Sequence, residues 1–178
     1  AVFKLFKALH APSKKAQLEG FSSSLQRAVV GLADRSWEQE LIALLAEPVN
    51  PRGDFKRWRD QRYWQITAAK VLGRMRSQAA IEPLMMVLAS PMKIDMHPAA
   101  LEALVRIGTP AVGVAEAALR GEHEGLVAHA REQHRLAVES DVGDVADRSA
   151  DQVRVTQAAV LLALLGRKQS VAPLLEVL

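Results

Sequence analysis

Within residues 67–88, TAAKVLGRMRSQAAIEPLMMVL, the apolar positions Ala68, Ala69, Leu72 and Met75 recur at the three- and four-residue spacing of one buried helix face. Small alanines at paired positions let a neighbouring helix come close. Local signals divide the segment into two helices. Ser77 is placed to cap the second, Pro83 sits early in it where a missing N–H does little harm, and Ser90 with Pro91 ends it. The next stretch repeats this order. Asp95 is the expected cap with Pro98 in the first turn, Gly108 a left-handed stop, Thr109 and Pro110 the next N-cap and N1, and Gly121 the second stop. Upstream, Ser23 with Gln26 and Ser36 with Gln39 have the spacing of capping boxes.

The pattern repeats along the chain. Shifting residues 67–88 by 90 positions, onto QAAVLLALLGRKQSVAPLLEVL, gives seven identities in 22 positions without a gap. Ala68, Ala69 and Leu72 fall on Ala158, Ala159 and Leu162, and Pro83, Leu84, Val87 and Leu88 on Pro173, Leu174, Val177 and Leu178. A shift of 32 places Ala68 on Ala100, Leu72 on Leu104, Arg74 on Arg106 and Met75 on Ile107. A weaker copy lies upstream, with Ala28 and Leu32 followed by Trp37, Leu41, Leu44 and Leu45. A single helix pair cannot bury its own apolar face, so the copies are expected to stack. In chain order the third and fourth copies are separated by an interruption. Its first half carries Leu126, Ala130, Ala137 and Val138 at helical spacing and is expected to add a helix. Eight acids stand against three bases in residues 121–152, and DVGDVADRSADQ reads as an exposed acidic loop.

The lines TAAKVLGRM, ALEALVRIGTPAV and QAAVLLALLG resemble the short HEAT-like repeat, a helix–turn–helix unit of roughly 30 residues found in armadillo-type solenoids and phycobilisome-lyase-like repeats. The resemblance covers residues 63–121 and 153–178, and 21–48 more weakly. It implies an all-α fold, a right-handed α-solenoid of about four HEAT-like helix pairs with an inserted helix and acidic loop. The expected single domain divides into an N-terminal helical cap (1–20), a weak repeat (21–50), repeats at 54–91 and 95–121, the insertion (122–152) and a last repeat (153–178). HEAT-like arrays serve many unrelated tasks, so the resemblance speaks to architecture more than to function.

Composition agrees with helices. Of 178 residues, 29 are Ala and 23 Leu, against eight aromatics, and 49% are apolar, which argues against both disorder and an all-β fold. The net charge of +3 names no partner by itself. The absence of cysteine excludes thiol catalysis, disulfides and cysteine-ligated metals, and leaves the compartment open with the cytoplasm mildly favoured. The longest apolar run, Ala158 to Leu165, is eight residues, far short of the roughly 18 to 20 that cross a bilayer. In AVFKLFKALH, Phe3, Phe6 and Leu9 beside Lys4 and Lys7 suggest a helix capping the first repeat, with a membrane-surface helix as the alternative. That stretch does not begin with Met, which suggests processing or truncation, and the apolar end at Leu178 suggests a longer array or a covering subunit.

No carrier of catalysis stands out, and no cofactor is expected. The motifs G-x-S-x-G and G-x-x-x-x-G-K-[ST] are absent. His123–Glu124 is a single His-Glu pair where the HEAT-repeat hydroxylases use four, and His123, His129 and His134 follow no ligand spacing, so capping or solvated histidines are expected and no metal. Asp141, Asp144, Asp147 and Asp151 lack the EF-hand arrangement. What remains is binding. Exposed positions of the second helices (Glu82, Met86, Glu116, Arg120), with Arg74 and Arg106 one period apart at the ends of first helices, form the expected ladder for another protein along the concave face. In this register Met85 belongs to the core and Met86 faces out. RGDFKRWRDQRYW (52–64) adds Arg57, Trp58, Arg59 and Arg62 as a protein-facing hot spot, or as core packing with the rings turned inward. The alternative is nucleic acid gripped by the same interleaved cations and rings.

Overall fold

A computed structural model describes residues 19–49, 54–141 and 148–166, and they are all-helical. Among the described residues eight α-helices follow in order: α1 (Glu19–Leu32), α2 (Glu38–Ala46), α3 (Phe55–Met75), α4 (Ile81–Leu88), α5 (His97–Ile107), α6 (Pro110–Arg120), α7 (Glu124–Glu139) and α8 (Ala150–Leu164). Short 3₁₀ turns at Arg35–Trp37, Gln78–Ala80 and Pro91–Met96 lead into α2, α4 and α5. The N-terminal stretch with Phe3, Phe6 and Leu9, and the second helix expected after Gly166, lie outside the described residues.

The helices pack in pairs around one continuous apolar cluster running from Leu25 to Leu162. The strongest contacts join α3 to α5, α6 to α8, α2 to α3 and α4 to α5. Ala68, Ala69, Val71 and Leu72 are fully buried on α3, as are Ala100 and Leu104 on α5 and Ala158, Leu161 and Leu162 on α8. These are the stripes that the internal repeat aligned. The closest approach is at Gly73, where a Cβ would come within 2.5 Å of the Ala103 Cα. The backbone of α5 occupies the space a side chain would need. Helix α7 settles beside α4, with Glu82–His123, Met86–His129 and Ser90–Gln133 in contact, so the two run in the same direction.

Several local expectations are corrected. Ser23 lies inside α1, which begins four residues earlier, so it forms no capping box; Gln26 reaches across to Thr67 instead. Asp34, not Ser36, caps its turn by accepting from the Ser36 amide at 2.8 Å. Asp95 caps nothing, because the chain is already in a 3₁₀ turn there and α5 starts at His97; its carboxylate pairs with Arg62 at 3.0 Å. Gly108 takes a positive φ of 81° with ψ −135°, outside the left-handed helical region, and absorbs the bend, so Thr109 is already helical and does not cap through its side chain. Gly121 is left-handed as expected, with φ 75° and ψ 16°. In the upstream copy Ala28 and Leu32 face out, while Leu25 and Val29 carry the core. That i, i+4 stripe lies three residues earlier than the apolar alignment placed it. A true capping box forms at Ser149 and Gln152.

Buried polar side chains tie helix ends together. Gln65, fully buried on α3, donates to the carbonyls of Leu44 at 3.0 Å and Glu47 at 2.9 Å, and the Lys93 ammonium donates to the Leu45 carbonyl, so the C-terminal end of α2 is capped from two sides. Arg154, also buried, reaches the Leu119 carbonyl at the end of α6 while pairing with Asp151 at 3.0 Å. His97 donates from Nε2 to the Ser90 carbonyl at 3.1 Å, and burial holds its pKa below the ordinary value. Burial also pulls the Lys93 ammonium down to about 8, against an opposing pull from Glu47.

Two glycines inside helices should respond oppositely to alanine. Gly73→Ala is expected to lower stability by about 1–3 kcal/mol, because overpacking against Ala103 exceeds the roughly 1 kcal/mol gained in helix propensity. Gly113→Ala, on an exposed face of α6 with open space around it, should raise stability by about 0.5–1 kcal/mol. Chemical denaturation of both variants checks the pair. Lys93 sets a pH dependence. From about pH 8 to the unfolded-chain value near 10.5, the unfolded chain retains a proton that the folded chain has released, so this group makes stability rise with pH there. The thermal midpoint of wild type relative to that of Lys93→Met should therefore rise from pH 7.5 to pH 9.5; a constant difference would refute the assignment.

Candidate functional site

Helix α1 lies along α3 through a ladder of polar contacts. The Tyr63 hydroxyl donates to the Ser22 carbonyl at 2.7 Å, Gln26 Nε2 donates to Thr67 Oγ1 at 2.9 Å, Lys70 Nζ donates to Gln26 Oε1 at 2.7 Å, and Arg74 donates to the Val30 carbonyl. Positions 22, 26 and 30 meet 63, 67 with 70, and 74 in order, so α1 and α3 run in the same direction. Burial pushes the Tyr63 hydroxyl up to about 12, with Asp60 adding to the rise, so the phenol stays protonated and can donate.

A cleft of about 410 Å³ opens where α1, α3 and α5 meet. Gln26, Arg27, Val30 and Gly31 line it from α1, Lys70 and Arg74 from α3, and Glu102 and Arg106 from α5. Four cations face one carboxylate. Arg106 binds a single oxygen of Glu102 through Nε at 3.1 Å and Nη2 at 2.8 Å, and Arg27 donates to Ser24 Oγ at 3.2 Å. The lining offers charge and N–H donors without a hydroxyl, thiol or imidazole. Binding an anion is the chemistry it supports.

The other expected residues lie elsewhere. On the first turns of α3, Phe55 and Trp58 stack at 5.6 Å with an interplanar angle of 28°, Arg59 sits over Phe55 at 5.8 Å and Arg62 over Trp58 at 5.2 Å, while Arg57 is exposed. The core-packing reading fails for these rings, since Phe55 is 65% exposed and Trp58 half-buried; Trp64, at 1%, is the ring that enters the core. Six residues separate Trp58 from Trp64, about 120° around the helix, so they cannot share a face. On the second helices, Glu82 meets His123 at 3.3 Å, and Met86 is half-buried beside α7, its carbonyl accepting from His129. Met85 is buried as expected. Glu116 is half-buried on α6, and Arg120 pairs with Glu122 at 2.8 Å. The ten residues thus divide among three places, and only Arg74 and Arg106 share the cleft.

His123 caps α7 by accepting from the Leu126 amide at 3.2 Å, whereas His129 and His134 donate to the carbonyls of Met86 and Arg148. Their rings serve different backbone groups, and among the described residues no three His, Asp or Glu side chains converge as metal ligands. Nor is any described helix long and apolar enough to cross a membrane.

Arg27, Lys70 and Glu102 were not picked out from the sequence, although a signal was there. The 32-residue shift that aligns Arg74 with Arg106 also aligns Lys70 with Glu102, and a shift of 43, which lays the buried Leu25 and Val29 on Ala68 and Leu72, lays Arg27 and Gly31 on Lys70 and Arg74. The cleft is lined by positions of α1, α3 and α5 that these shifts bring into register. Comparison with protein-family models, with curated proteins and with solved structures finds no match for this chain.

Proposed function

We propose that this chain is a non-catalytic, HEAT-like α-solenoid module of about four helix pairs that holds a segment of a protein partner along its first helices. The cleft bridging α1, α3 and α5 at repeat-equivalent positions is the observation that carries the reading. A site shared by three successive elements suits an extended segment that crosses them in turn. The parallel run of α1 with α3, and of α4 with α7, supports the stacked arrangement.

Affinity purification from native lysate, with paired variants, tests this. A protein recovered with wild type should be depleted about tenfold or more by the double variant Arg74→Ala/Arg106→Ala, and retained by Glu82→Ala/Arg120→Ala on the second helices. Equal recovery with every variant would overturn the cleft as the docking surface.

A nucleic-acid reading draws on a different place, the surface stack of Phe55 and Trp58 flanked by Arg59 and Arg62. It requires binding to duplex or single-stranded DNA that weakens steeply from low to moderate salt, and that Trp58→Ala diminishes. No binding at low salt removes it.

A further inference from the structure

Resting on that reading of the first-helix layer, we infer that the partner segment is an acidic peptide, and that Glu102 is the chain's own carboxylate occupying the place on Arg106 that a partner carboxylate takes. The charge is one-sided: Arg27, Lys70, Arg74 and Arg106 stand against Glu102 alone. The cations are also held in place. Arg74 is anchored on the Val30 carbonyl and Lys70 on Gln26, bonds that use one of five donors on the guanidinium and one of three on the ammonium. Anchored cations lose less side-chain freedom when an anion arrives.

Glu102 shows what fits. One oxygen of its carboxylate accepts from both Nε and Nη2 of Arg106, so the edge of the guanidinium that a peptide Asp or Glu would use already faces a carboxylate. At the equivalent position one repeat earlier the chain has Lys70, which makes Glu102 the one like charge, among the described residues, that an acidic ligand would meet in the cleft. Spacing favours an extended segment. Neighbouring helix axes lie about 8–10 Å apart, and acids two residues apart on an extended chain share one face and stand about 6.6 Å apart, close enough for their flexible side chains to reach Arg74 and Arg106. Among the described residues the lining has no aromatic ring on which a base could stack; the stacked rings belong to the first turns of α3. Carboxylates on a protein are therefore the better match than a nucleic acid.

The test titrates the full chain with a fluorescein-labelled peptide bearing alternating Glu and Gly, against the same peptide with Gln. The Glu peptide should bind and the Gln peptide should not. Glu102→Gln and Glu102→Ala should each tighten binding about threefold or more by freeing Arg106, whereas Arg74→Gln/Arg106→Gln should weaken it at least tenfold. Thermal midpoints near wild type would show that these exposed positions leave the fold intact. Unchanged or weaker binding by both Glu102 variants overturns the inference, as does tight binding of inorganic pyrophosphate or duplex DNA in place of the peptide. A lysate partner that is lost with the Arg74/Arg106 variant while the Glu peptide fails to bind would keep the docking surface and discard its acidic ligand.

Discussion

The fold and its cleft rest on the close approach of α3 to α5. With Gly73 against the Ala103 backbone and Ala68, Ala69, Ala100 and Leu104 filling the seam, these helices come together at a distance that larger residues would forbid. Neither helix can bury its stripe alone, because an isolated amphipathic helix gains little from propensity and depends on a packed neighbour. The same approach brings Arg74 and Arg106 to one cleft. Packing and site are consequences of a single contact.

Around that seam the chain uses long polar side chains to finish helix ends. Gln65 and Lys93 meet the last carbonyls of α2, Arg154 reaches the end of α6, and His97 and His129 donate to carbonyls at and beyond the end of α4. Each comes from a different element than the end it caps, so each cap is also a tertiary tie. Buried cations of this kind are tolerated because a helix C-terminus carries partial negative charge, although burial still drives Lys93 toward neutrality. Helix α7 is held by such ties and by the burial of Leu126, Ala130 and Ala137. Its contacts with Glu82, Met86 and Ser90 cover part of the second-helix face that the repeat pattern leaves open.

Two surfaces thus stand apart in chemistry. The cleft on the first helices is basic and lacks aromatic rings, whereas the start of α3 displays Phe55 and Trp58 with guanidinium groups over them. Cation–π pairing gives those rings a local partner and lowers the drive to bury them. The cleft cations are instead anchored by carbonyl, amide and hydroxyl oxygens, except for Arg106, which has Glu102. Keeping the two apart is what lets the protein-binding and nucleic-acid readings be tested at different residues.

The helical class, the burial of Ala68, Leu72, Leu104, Ala158 and Leu162, and the stop at Gly121 were legible in the sequence alone, because helix periodicity and left-handed glycine stops are local physics. Caps were less legible. Asp95 and Ser23 have the right chemistry, but whether the preceding residue is already helical is decided by neighbouring turns. The site was half legible: the repeat shift found Arg74 and Arg106 but not Arg27, Lys70 or Glu102, since which exposed positions converge depends on how adjacent helices are set beside one another. The outward turn of Phe55 and Trp58 was likewise a tertiary outcome. Apolar pattern names the face a helix buries, and only the packed neighbours determine which polar groups then meet.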